Sequence, residues 1–336
     1  MRTSGKTVRL SAGVAATTIA AVLLLYGSFQ RGATAQASPV PELISALPAG
    51  APTLVYVDFA AVRSSSFYQH RPDKTPIAVP NQDYADFVSS TGFDFEKDLD
   101  RVVIASWPAS GKEPRKNVAI AEGRFDRAKI RDYATRKGKL DHQQGRDVFL
   151  FPTGDPMGFV SVTFLDEHRI ALVAGPSIAL LFTGHSDDPS VDPARERAAR
   201  LDGAAAFLIT HVPPIPDNPG AGAATPAAQF LGMARSVQWI TLAVRPEGDD
   251  LRLSLEGECD NSTDALQIKS ALELLRMLGR AGLDSPKTQQ SMDPAALATL
   301  QTLLTNADVT QAAERVRILV ELTPDIFKLS EKRKPQ

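Results

Sequence analysis

Glu122 and Glu256 are the carboxylates that the sequence most readily pairs for a shared reaction. Each stands directly before a glycine at the end of an apolar run, in Ala121-Glu122-Gly123 and Leu255-Glu256-Gly257. Two carboxylates that face one another can divide the roles of general acid and general base. A plainer reading is an exposed-face residue beside a glycine bulge, which needs no chemistry. His185, Asp187, Asp188 and Asp192 form the densest set of metal-ligand types. A calcium loop wants oxygen ligands at near-alternate positions and a glycine at its turn. Pro189 and Pro193 break that pattern, and Asp192 is already explained as a helix N-cap, so no metal site is expected.

Other chemical signatures are missing. His70, His142, His168, His185 and His211 show no metal-ligand spacing and no His-Glu-x-x-His. There is no Gly-x-Ser-x-Gly nucleophile elbow. Gly5-Lys6-Thr7 echoes the end of a phosphate loop without its upstream glycine or strand, and Gly220-Ala221-Gly222 lies in a proline-rich loop with no strand feeding it. Trp107 and Trp239 read as core residues of two equivalent hairpins, with ligand stacking as the alternative. Cys259 is the one cysteine, so no internal disulfide forms, and it reads as a small apolar core residue. Catalytic and binding residues therefore stay unassigned, and no cofactor is expected.

The elements that would position these residues alternate irregularly. Buried or half-buried strands are expected at 53–59, 101–107, 117–123, 147–151, 158–165, 169–174, 204–210, 236–244, 250–258 and 315–322. Helices follow N-cap and proline signals: Asp126 opens one that Gly138 stops, Asp192-Pro193 opens a second and Asp293-Pro294 a third. Leu266, Leu272, Leu275, Leu278 and Leu283 give another helix a broad apolar face.

The halves echo each other. Ala121-Glu122-Gly123-Arg124-Phe125-Asp126 aligns with Leu255-Glu256-Gly257-Glu258-Cys259-Asp260, and the stretch from Arg169 to Ile178 aligns without gaps with that from Arg317 to Ile326. The separations, 134 and 148 residues, require an insertion of 14 in the second half, which its extra helix could supply. The fold class expected is α+β, as two tandem related halves. Each half is a hairpin-rich antiparallel sheet with helices on one face.

The opening of the chain sets a location. Arg2, Lys6 and Arg9 precede an uncharged run from Leu10 to Gln30, followed by Ala33-Thr34-Ala35-Gln36-Ala37. A basic start, an apolar middle and a small-residue exit compose a secretory signal, and the same segment retained would be a membrane anchor. Both readings stay open, and both deliver the body outside the cytoplasm. Without its four basic leader residues the chain holds 33 Lys+Arg against 39 Asp+Glu, a net charge of −6. An acidic body argues against nucleic-acid binding.

The expected domains are 1–37 as signal peptide or anchor, 38–52 as a proline-rich linker, 53–190 and 191–329 as the two repeats, and 330–336 as a charged tail. Leu47-Pro48-Ala49-Gly50-Ala51-Pro52 with the strand after it, and Thr91-Gly92-Phe93-Asp94, resemble the landmarks of bacterial exported domains of unknown function. That resemblance covers about 20 residues. It implies an envelope protein with an N-terminal membrane segment and an α+β body, and supplies no activity and no site residues.

The expectation is a periplasmic or extracytoplasmic protein, released after cleavage near Ala35–Ala37 or anchored to the inner membrane. It would be a non-enzymatic binding or scaffolding module. Its partners would be the membrane, through an uncleaved N-terminus, and an apolar ligand or a protein. The alternative is an envelope hydrolase built on acidic residues without a recognisable motif.

Overall fold

The computed structural model describes residues 40–70, 82–111, 113–153, 158–184, 192–213 and 235–327. The leader, the charged tail, Gly220–Gly222 and the His185, Asp187, Asp188 group lie outside the described residues.

In chain order the elements are α1 (Val40–Ser45), β1 (Thr53–Asp58), α2 (Phe59–Ser64), α3 (Ser66–Gln69), α4 (Gln82–Thr91), α5 (Phe95–Asp98), β2 (Leu99–Trp107), β3 (Lys116–Gly123) and α6 (Arg127–Lys137). They continue with β4 (Lys139–Gln143), β5 (Arg146–Pro152), β6 (Phe159–Phe164), β7 (Arg169–Ala174), α7 (Pro193–Ala198), β8 (Ala206–His211), β9 (Val237–Glu247) and β10 (Asp250–Cys259). The last are α8 (Ser262–Leu283), α9 (Pro286–Ser291), α10 (Pro294–Asn306), β11 (Asp308–Ala312) and β12 (Arg315–Leu322). Short 3₁₀ turns cover Ala179–Phe182 and Pro324–Phe327. The fold is α+β with antiparallel strand pairing.

The described residues fall into two compact units: 43–51 with those between 82 and 184, and 40–42 and 52–70 with those between 192 and 327. The first repeat was expected to begin at residue 53, but residues 52–70 fall in the second unit. β1 belongs to the second unit because it pairs with β8, from Thr53↔Thr210 to Val57↔Ala206. Its Thr-Leu-Val-Tyr-Val-Asp run is buried at five of six positions, so no periodicity in it announces a partner. The proline-rich stretch is also no spacer from residue 40 onward. Leu43, Ile44, Leu47 and Ala51 are buried, Ala49 N–H donates to Gly184 O at 3.0 Å, and Trp107 Nε1 donates to Gly50 O at 3.1 Å.

The first unit orders its strands β2-β3-β7-β6-β5-β4. Ile130 and Ala134 of α6 pack on Phe149, Phe164 and Ile170 of the sheet. Asp126 caps α6, its carboxylate accepting from Lys129 N–H. Gly123 is required where it stands, because a Cβ there would lie 2.3 Å from the Asp98 carbonyl oxygen. β4 escapes a pattern-based reading because Lys-Leu-Asp-His-Gln is polar and sits at the sheet edge. A two-residue turn, Gln144-Gly145, both at positive φ, joins it to β5. His142 N–H donates to its neighbour Asp141's carboxylate at 2.9 Å, which occupies one backbone donor of this edge strand.

The second unit orders its strands β1-β8-β9-β10-β12-β11. Ala265 and Ile268 of α8 pack with Cys259, Val309 and Val316. On the opposite face, α7 reaches Glu258 through Arg197 and Arg200. Helices therefore lie on both faces of this sheet rather than one.

Both units contain a hairpin, a helical connection and a second hairpin whose last strand pairs with the first hairpin's second strand: β2-β3 and β6-β7, then β9-β10 and β11-β12. The registers coincide. Glu122↔Arg169 and Ala121↔Ile170 in the first unit correspond to Glu256↔Arg317 and Leu255↔Ile318 in the second. The connections differ by more than one helix: α6 with the β4-β5 hairpin in one, and α8, α9 and α10 in the other.

Candidate functional site

The two glutamates occupy the same register position but are each held by arginine. Glu122 lies 3.0 Å from Arg101, its cross-strand partner on β2. Glu256 accepts from Arg317 Nε at 2.9 Å, and Arg315 stands 4.0 Å away. Both carboxylates are therefore already engaged by guanidinium groups. The two belong to different units.

The other candidates also resolve into local structure. Asp192 caps α7, accepting from Arg195 N–H at 3.3 Å and pairing with the Arg195 side chain at 3.1 Å. Among the described residues no three His, Cys, Asp or Glu side chains gather where they could hold a metal ion. His142 contacts Asp147 at 3.0 Å and His70 Nδ1 lies 2.9 Å from Ser66 O. His211 meets the Trp239 ring edge-on at 5.0 Å.

Trp107 and Trp239 lie in the corresponding hairpins but at different places, one at the end of β2 and the other near the start of β9. Trp239 stacks under the Arg197 guanidinium at 4.2 Å, and the same guanidinium pairs with Glu258. That cluster is a packing lock, with the ring face already occupied by a cation. Cys259 is buried, and burial followed by the nearby Asp264 and Asp260 pushes its thiol above its ordinary pKa.

What remains is a surface that no sequence motif marks. On the second unit's sheet the registers align Val55, Leu208, Leu242, Leu255, Ile318 and Val309 in one row across six strands. A parallel row runs Val57, Ala206, Val244, Leu253 and Val320. This is the face on which α8 packs, since Val309, Val316 and Ile318 belong to the cluster holding Ala265 and Ile268. The row ends are covered: Val55 and Val309 are buried. Its middle is open. Leu208, Leu242 and Ile318 are half-buried and Leu255 is 39 % exposed.

The reverse face is closed over β8 and β9, with Ile209, Phe207, Thr241 and Ala243 buried; on β10 Glu256 is buried there too, while Arg317 of β12 on that face is exposed. Alternation along Leu251-Arg-Leu253-Ser-Leu255-Glu announces two unlike faces but not which is wet. The usual assignment buries the leucines; here Leu251, Arg252, Leu253 and Ser254 are all half-buried, and at Leu255 and Glu256 the order is reversed. Aliphatic side chains left open at the centre of a sheet carry no hydrogen-bonding groups, so they can hold an apolar surface and cannot orient a polar one. α8 adds exposed Leu266, Leu274, Leu275, Met277 and Leu278 on its own solvent side. No described helix is long and apolar enough to cross a membrane.

No family model matches the chain, and no curated protein matches it. Among solved structures, two crystal forms of TP0453 are similar. Form I has 11% identity and a TM-score of 0.47, covering 88% of this chain and 98% of that one. Form III has 11% identity and a TM-score of 0.45, covering 88% and 99%. A likeness this distant assigns no function, and the functional reading rests on the residues.

Proposed function

We propose that this chain is a non-enzymatic, exported binding module whose second unit takes an apolar ligand, or the apolar face of a partner, on the face of its sheet that α8 partly covers. The observation that carries the reading is the open centre of the aliphatic row, where Leu255 is 39 % exposed between the half-buried Leu242 and Ile318. An exposed apolar patch costs solubility, and one retained in a folded protein marks a contact surface. The arginine pairing of Glu122 and Glu256 speaks against the acidic-hydrolase alternative.

Export is the second part of the proposal, and it rests on the basic, apolar and small-residue segments of 1–37. The coincident registers of the two units support their origin as a duplicated element, with the connection between hairpins rebuilt in each.

Native mass spectrometry of protein purified from its own cells without detergent tests the ligand reading. A bound apolar species lost in the Leu255→Lys variant supports it; an empty protein that also fails to bind any apolar probe contradicts it. A reporter enzyme fused behind residue 60 tests export, which fails if the reporter stays in the cytoplasm.

A further inference from the structure

We draw no further inference here: the strongest candidate, the exposed apolar stripe of Leu266, Leu274, Leu275, Met277 and Leu278 on the solvent side of α8, carries nothing because nothing in the structure shows what covers it.

Discussion

Leu255 and Glu256 are chain neighbours on β10 with inverted burial: the leucine is 39 % exposed and the carboxylate 8 %. The inversion has a local cause. Glu256 points to the reverse face of the sheet, where the half-exposed Arg317 from β12 pairs with it, while Leu255 points to the face that α8 covers at one end. Burying a charge is tolerable only with a partner, and exposing a leucine is tolerable singly but not as part of a row unless something else covers it.

Replacing Leu255 with Thr is expected to change stability by less than about 1 kcal/mol, because an exposed, β-compatible position loses little burial. Ile209→Ala, on the closed face at 0 % exposure, is expected to cost about 2–5 kcal/mol. Chemical denaturation of both variants checks the contrast. Equal large losses at both positions would mean that the Leu255 face is closed.

Glu256→Ala is expected to destabilise by about 1–3 kcal/mol, since it removes a largely buried carboxylate that accepts a charged hydrogen bond from Arg317. Glu122→Ala, at the matching register position but with Glu122 and Arg101 both more exposed than Glu256, is expected to cost less than about 1 kcal/mol. Double-mutant cycles with Arg317 and Arg101 measure each coupling directly.

Cys259 is expected to resist alkylation at neutral pH in the folded protein and to react fully after denaturation. Its thiol is shielded and its pKa is raised by burial and by Asp264 and Asp260. Timed labelling read by intact mass gives the answer, and rapid labelling of folded protein would contradict the packing of α8 on β10.

Acid should weaken the first unit through depressed carboxyls. Burial works against the charge of Asp166, but the N–H groups of His168 and Arg169 and the Arg169 guanidinium outweigh it and hold the carboxyl below its ordinary range. Asp126 is lowered by the Lys129 N–H at the N-terminus of α6. A carboxyl whose folded pKa lies below the unfolded value of about 3.9 stabilises fully above that value. The contribution is lost as pH falls through the folded pKa. Stability should therefore be flat near neutrality in these two groups and decline below about pH 4. Asp166→Asn should flatten part of that decline, as read from denaturation midpoints across pH.

Much of the local structure was legible in the sequence. Asp126, Asp192 and Asp293 cap the helices that their spacing announced, and the cross-strand pairing of Glu122 with Arg169 and Glu256 with Arg317 joins the two short sequence matches in one register. The edge strands β4 and β11 were not legible, because Lys-Leu-Asp-His-Gln has no fully buried residue and Asp-Val-Thr-Gln-Ala buries only Val309, too little apolar alternation to announce a strand. Nor was the membership of β1, whose partner β8 lies about 150 residues away. The site was invisible for a different reason. Alternation specifies that a strand has two faces, and only the positions of α7 and α8 decide which one stays open.

The most direct test of the account is a titration with the apolar fluorophore N-phenyl-1-naphthylamine, comparing the unaltered protein with Leu255→Lys and with Phe182→Lys, an exposed apolar position in the other unit. The account expects saturable binding to the unaltered protein and to Phe182→Lys, and at least tenfold weaker binding to Leu255→Lys with its fold intact by circular dichroism. Absent saturable binding, or equal affinity in all three, would contradict it.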